Sequence, residues 1–166
     1  MKKYVFKPYS RNLPKLFEEE KQRIASQIKN TAIEHVGSTA VPGLGGKGII
    51  DMVVATNIEN IKGMFKQLQK LGYEFKPTGG TSDRLFFQID LPDKEGEITR
   101  YHLHLTRHNS KDWESMIKFR DYLRNNPSEA EKYAEIKKKA ASQANEDREK
   151  YMELKEPAIK YILEKI

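Results

Sequence analysis

The chain contains no cysteine. Disulfides and thiolate chemistry are therefore excluded, and the composition fits the expectation of a cytoplasmic protein. No apolar run approaches the ~20 residues that a membrane-spanning helix needs, so no membrane association is expected. No long apolar stretch follows Met1-Lys2-Lys3-Tyr4, and a signal peptide is not expected either. Internal repeats and low-complexity segments are missing too. The spacing of Gly43, Gly45, Gly46 and Gly48 matches neither a P-loop nor a dinucleotide fingerprint. There is no nucleophile elbow. No nucleic-acid-binding module is visible, so nucleic acid is not the expected partner.

A chain of 166 residues reads as one domain over 1–166, long enough to bury a core. Lys and Arg number 30 against 24 Asp and Glu, a net charge of +6. That balance favours anionic ligands such as nucleotides or phosphorylated metabolites. Much of it is expected on solvated surface, including the lysine triplet at 137–139.

The most informative stretch is 33–54. An apolar run climbs to Gly37-Ser38, a glycine-rich loop carrying Lys47 follows, and a second apolar run contains a single carboxylate, Asp51. Two apolar runs around a glycine-rich loop predict adjacent strands, with the loop placed to receive an anion. Gly37 admits close backbone approach, and the N–H groups after it can form a positive concavity. Asp51 sits between Ile50 and Met52, where an unpaired carboxylate is costly. It is either a magnesium ligand or a carboxylate that caps a turn or pairs with Lys47 or an arginine.

The remaining pattern predicts a mixed α/β (α+β) chain. A helix begins at Pro14, and strands are expected at 32–36 and 49–54. A helix capped by Asn57 and stopped by Gly72 comes next. A short strand at 73–75 and a hairpin of 85–91 with 98–106 complete a sheet part of about 30–106. A helical part follows over about 110–166. One helix is expected to start at Asn126-Pro127-Ser128-Glu129. Another is expected from near Asn145, kinked or restarted at Pro157. His102 and His104 alternate with leucine on a predicted strand, so both imidazoles share one face. They either bind a metal such as zinc together with Asp51 or hydrogen-bond across a polar sheet face. Lys47, Arg84 and Arg120 are candidate phosphate ligands, with ordinary ion pairing as the alternative for the arginines.

The string from His35 through Asp51, with its His-Val-Gly-Ser-Thr-Ala-Val-Pro-Gly-Leu core, resembles the GrpB-like family, similar in turn to the nucleotidyltransferase superfamily. Leu71-Gly72-Tyr73, Arg84-Leu85-Phe86-Phe87, His102-Leu103-His104, Phe119 to Arg124, and Tyr151 with Lys155 look like further landmarks. The resemblance implies a nucleotidyltransferase-like mixed sheet with C-terminal helices. It implies a nucleotide or phosphorylated small molecule held by Gly37, Ser38, Lys47, Arg84 and Arg120. Asp51 would be the catalytic residue, and a divalent metal, magnesium or a transition metal such as zinc, would sit on Asp51, His102 and His104. The superfamily's second acidic position falls on Val53, which cannot ligate. Metal-assisted nucleotidyl transfer and a non-catalytic ligand-binding module are therefore both expected readings.

Overall fold

The computed structural model describes residues 5–166; Met1 to Tyr4, the segment read for a signal peptide, lie outside the described residues. The order of elements is helix α1 (Leu13–Gln27), strand β1 (Ala32–Val36), a 3₁₀ turn (Ser38–Ala40), β2 (Ile50–Thr56), a second 3₁₀ turn (Ile58–Asn60), α2 (Ile61–Lys70), β3 (Glu74–Phe75), β4 (Arg84–Pro92), β5 (Ile98–Arg107), α3 (Lys111–Asn125), α4 (Pro127–Ala144) and α5 (Arg148–Leu163). The five strands form one mixed sheet ordered β1-β2-β5-β4-β3, in which β2 and β5 run parallel and the other pairs antiparallel. This is the mixed α/β class expected, with α3, α4 and α5 following the sheet at the C-terminal end.

Alternation along the strands divides the sheet into two unlike faces. Ile33, Ile50, Met52, Val54, Tyr101, Leu103, Leu105 and Phe87 point to one side. There they pack with Leu16, Phe17, Ile24 and Ile28 of α1 and Met64 and Leu68 of α2 as the main core. The opposite side carries Asp51 and His102, and next to that pair Val53 and His104, which the parallel β2–β5 register sets side by side. A second cluster joins Val41 and Leu44 of the glycine-rich loop to Leu123, Ala130, Tyr133 and Ile162 of the helical part. The loop is thus held by hydrocarbon from the C-terminal helices.

Several boundaries differ from expectation. The Asn57 side chain makes no cap bond; it precedes the second 3₁₀ turn, and α2 starts after Asn60. Gly72 does stop α2: its φ is +98°, with Gly72 N–H donating to Gln69 and Tyr73 N–H to Leu68, a Schellman ending. Asn126 precedes α4, but its amide donates to the Tyr122 carbonyl of the preceding helix and caps nothing. Asn145 closes α4 in left-handed geometry, and Asp147 caps α5 by accepting from Lys150 N–H. Pro157 neither restarts nor ends α5, which runs through it. Its missing donor removes one backbone bond that the rest of the helix outweighs.

Candidate functional site

The site is built on the turn between β1 and the loop before β2. Gly37 adopts φ +74°, ψ −172°, a region open essentially to glycine. A Cβ there would stand 2.8 Å from Asp51 Oδ2, so the missing side chain lets the turn lie against the carboxylate. Asp51 keeps 27% of its side chain exposed. His102 Nδ1 stands 3.2 Å, and His104 Nε2 3.7 Å, from its Oδ1. Burial pushes the Asp51 carboxyl up, but hydrogen bonding and charge from His102 and His104 outweigh it and hold the group well below the usual carboxylate range. Burial pushes His104 down. His104 Nδ1 and the nearby Arg84 Nε are buried without a hydrogen-bond partner.

The Gly45–Gly46 segment lies close to Ser38 and to α4. A Cβ on Gly46 would stand 2.7 Å from Lys137 Nζ and 2.8 Å from Ser38 Oγ. Lys137 is 5% exposed and donates to the Gly45 carbonyl at 3.2 Å. Its ammonium also lies over the Tyr133 ring. The buried ring of Tyr151 is flanked by two more cations, Lys155 Nζ at 4.9 Å and Lys47 Nζ at 5.5 Å from its centroid. Burial, then the charge of Lys155 and Lys47, lowers Lys137 to about 7, with Asp51 opposing. Burial, then Lys47, lowers Lys155 to about 8. Three lysines from a loop and two helices thus converge beside one ionised aspartate.

A family model described as GrpB protein matches residues 3–165. The chain belongs to the GrpB family. It is 33% identical over 155 residues to the UPF0157 protein YqkA of Bacillus subtilis, covering 92% of this chain and 44% of that one; the chain thus spans less than half the length of that relative. The crystal structure of conserved protein GrpB from Enterococcus faecalis superposes with a TM-score of 0.80 at 30% identity, covering 97% of this chain and 98% of that one. A remote likeness to the Cid1 poly(U) polymerase, with a TM-score of 0.42 at 15% identity over 78% of this chain and 45% of that one, is too weak to bear on function.

In this GrpB-family chain the structure brings Gly37, His102 and His104 to Asp51, and Ser38 and Lys47 to the neighbouring Lys137 and Lys155, as one site. Arg84 lies at its far edge on β4, 3.9 Å from Asp112. Arg120 is held elsewhere. It is 8% exposed and donates to Glu34 at 2.7 Å, Asp121 at 2.8 Å and the His35 carbonyl at 3.0 Å. Those bonds fasten α3 to β1 and draw its guanidinium onto protein acceptors, so its geometry is that of a strut. Arg124 likewise donates to the Ala40 carbonyl at 2.8 Å. Among the described residues no three His, Asp or Glu side chains form a group able to hold a metal ion. The expected set of Asp51, His102 and His104 departs from a cage because both imidazoles converge on a single carboxylate oxygen. The expectation of a solvated 137–139 triplet holds for Lys138 and Lys139 and fails for Lys137.

Proposed function

We propose that this protein binds a nucleotide or another phosphorylated small molecule between the Gly37–Ser38 turn, the Gly45–Lys47 loop and the C-terminal helices. The observation that carries this reading is the convergence of Lys47, Lys137 and Lys155 on the Tyr151 ring and the Gly45–Gly46 loop. Burying like charges together is unfavourable unless an anion joins them. The ammonium groups and the Ser38 hydroxyl offer donors suited to phosphate oxygens.

A second reading, metal-assisted nucleotidyl or phosphoryl transfer, is favoured by Asp51. The carboxylate is ionised, partly exposed and placed beside the cation cluster. A magnesium ion arriving with its phosphates takes one or two protein carboxylates, and Asp51 fits that role; imidazoles do not. His102 and His104 would orient Asp51, not ligate the ion. Val53 is fully buried, so the strand supplies no second carboxylate to a two-ion mechanism.

The test has two arms. Thermal-shift titration of nucleoside mono-, di- and triphosphates with magnesium, manganese or zinc reports binding through mass action. Pyrophosphate release from a nucleoside triphosphate reports transfer. Stabilisation with turnover that disappears in Asp51→Asn establishes the enzyme. Stabilisation alone, indifferent to Asp51→Asn, leaves a ligand-binding module, and no stabilisation by any phosphorylated compound rejects both.

A further inference from the structure

Lys137 is buried, and Lys155 and Lys47 beside it are half-buried. Lys137 faces Lys155 of α5, Lys47 of the loop and Asp51 of β2, and touches the Tyr133 ring of its own helix and the Gly45 carbonyl. Lys155 faces Lys47, Asp51 and Arg148 of its own helix, and lies over Tyr151. Asp51 is thus the one anion that bears on either amine among these groups, and His102 and His104 already converge on it. Amines gathered in a partly dry space cannot all stay charged without cost. The cheapest relief is for an amine to give up its proton. A bound phosphate reverses this balance, because it supplies negative charge at close range.

We infer that binding of a phosphate-bearing anion at this cluster is coupled to proton uptake by Lys137 and Lys155, so that the site holds its ligand more tightly as pH falls. The inference rests on the reading of the site as an anion site. With Lys137 near 7 and Lys155 near 8 in the ligand-free protein, both are partly neutral at slightly alkaline pH. Ligand binding returns them toward the ordinary lysine range. The coupling distinguishes this site from a surface lysine patch, whose amines stay charged in both states. It also explains why lysine stands here in place of arginine, which cannot release its proton.

Calorimetric titration of the full chain with a nucleoside triphosphate, at pH 8 in buffers of different ionisation heat, measures the protons taken up. The terminal phosphate's second ionisation is near pH 6, so the ligand's own charge is constant there. The expected result is uptake of roughly one to two protons per ligand, with affinity falling by about tenfold or more per pH unit above pH 8. Lys137→Arg should keep binding and lose part of the uptake. Because that variant can disturb packing, the Lys137 side chain of the unaltered protein is also titrated by NMR, and a midpoint near 7 that rises with ligand is expected. Binding with buffer-independent heats, or a Lys137 midpoint at the ordinary lysine value, overturns the coupling and leaves the anion site standing. Absence of binding in every buffer overturns the anion site and the coupling with it.

Discussion

At the residue scale, two glycines of the same loop region have opposite sensitivities. Gly37 combines a backbone conformation closed to other residues with a carboxylate oxygen 2.8 Å from the place of its missing Cβ. Gly37→Ala should cost about 1–3 kcal/mol of stability, measured by urea unfolding, and should displace Asp51. At Gly46 the neighbours are the flexible ends of Lys137 and Ser38, which can move aside. Gly46→Ala should therefore leave the unfolding midpoint nearly unchanged while weakening phosphate binding by about tenfold or more. His35 gives a pH signature. It is buried, stacks on Phe17 and sits 2.9 Å from Thr39 Oγ1. Burial lowers it to about 4. Unfolded chains bind a proton there below about 6.5 and the native protein does not, so stability falls as pH drops from 6.5 toward 4. The loss approaches about 3 kcal/mol once both states are protonated. Comparing unfolding from pH 7 to pH 4 in the native chain and in His35→Phe should show a shallower slope in the variant; equal slopes would mean that His35 titrates normally.

At the element scale, α1 is fastened to the end of α2 by a buried polar group. Glu20 is 4% exposed, accepts from Tyr73 Oη at 2.6 Å and pairs with Arg23 at 2.8 Å, while Arg23 also donates to the Leu71 carbonyl. Glu20→Ala strands the Tyr73 hydroxyl and should cost about 1–3 kcal/mol, with no effect on phosphate binding because the network lies on the sheet's other side. The strands were legible from sequence because alternation reports burial directly: β1 was expected and found at Ala32–Val36, and the shared face of His102 and His104 followed from period two alone. The helical half of the site was less visible. Lys137 stands within a run of lysines, yet it falls on the stripe Ala130, Tyr133, Lys137, Ala140, Ala144, all buried. Lys155 is on the matching stripe of Tyr151, Ala158 and Ile162. The three-and-four spacing carries the signal, but the run of three lysines obscures it. That these stripes face the glycine-rich loop depends on how α4 and α5 pack, which no local pattern encodes. Arg120 shows the reach of the problem: ion pairing is one of its two readings, and its partner Asp121 is adjacent, but its partner Glu34 is 86 positions distant and is not visible locally.

At the scale of the whole molecule, the sheet supplies the carboxylate and the C-terminal helices supply the cations, and the glycine-rich loop belongs to both. Val41 and Leu44 are 1% and 2% exposed within the helical cluster, so the loop's shape depends on that packing. Leu44→Ala should destabilise the fold by about 2–5 kcal/mol and loosen the loop, weakening phosphate binding although Leu44 bears no polar group. The central claim is that the sheet and the helices together make an anion site. Its most direct test is calorimetric titration of a nucleoside triphosphate into the native chain and into folded Lys137→Met/Lys155→Met, with circular dichroism to confirm that the variant keeps its structure. Saturable one-to-one binding in the native chain that is lost in the variant is the predicted result. No binding to the native chain, or equal affinity for both, would contradict it.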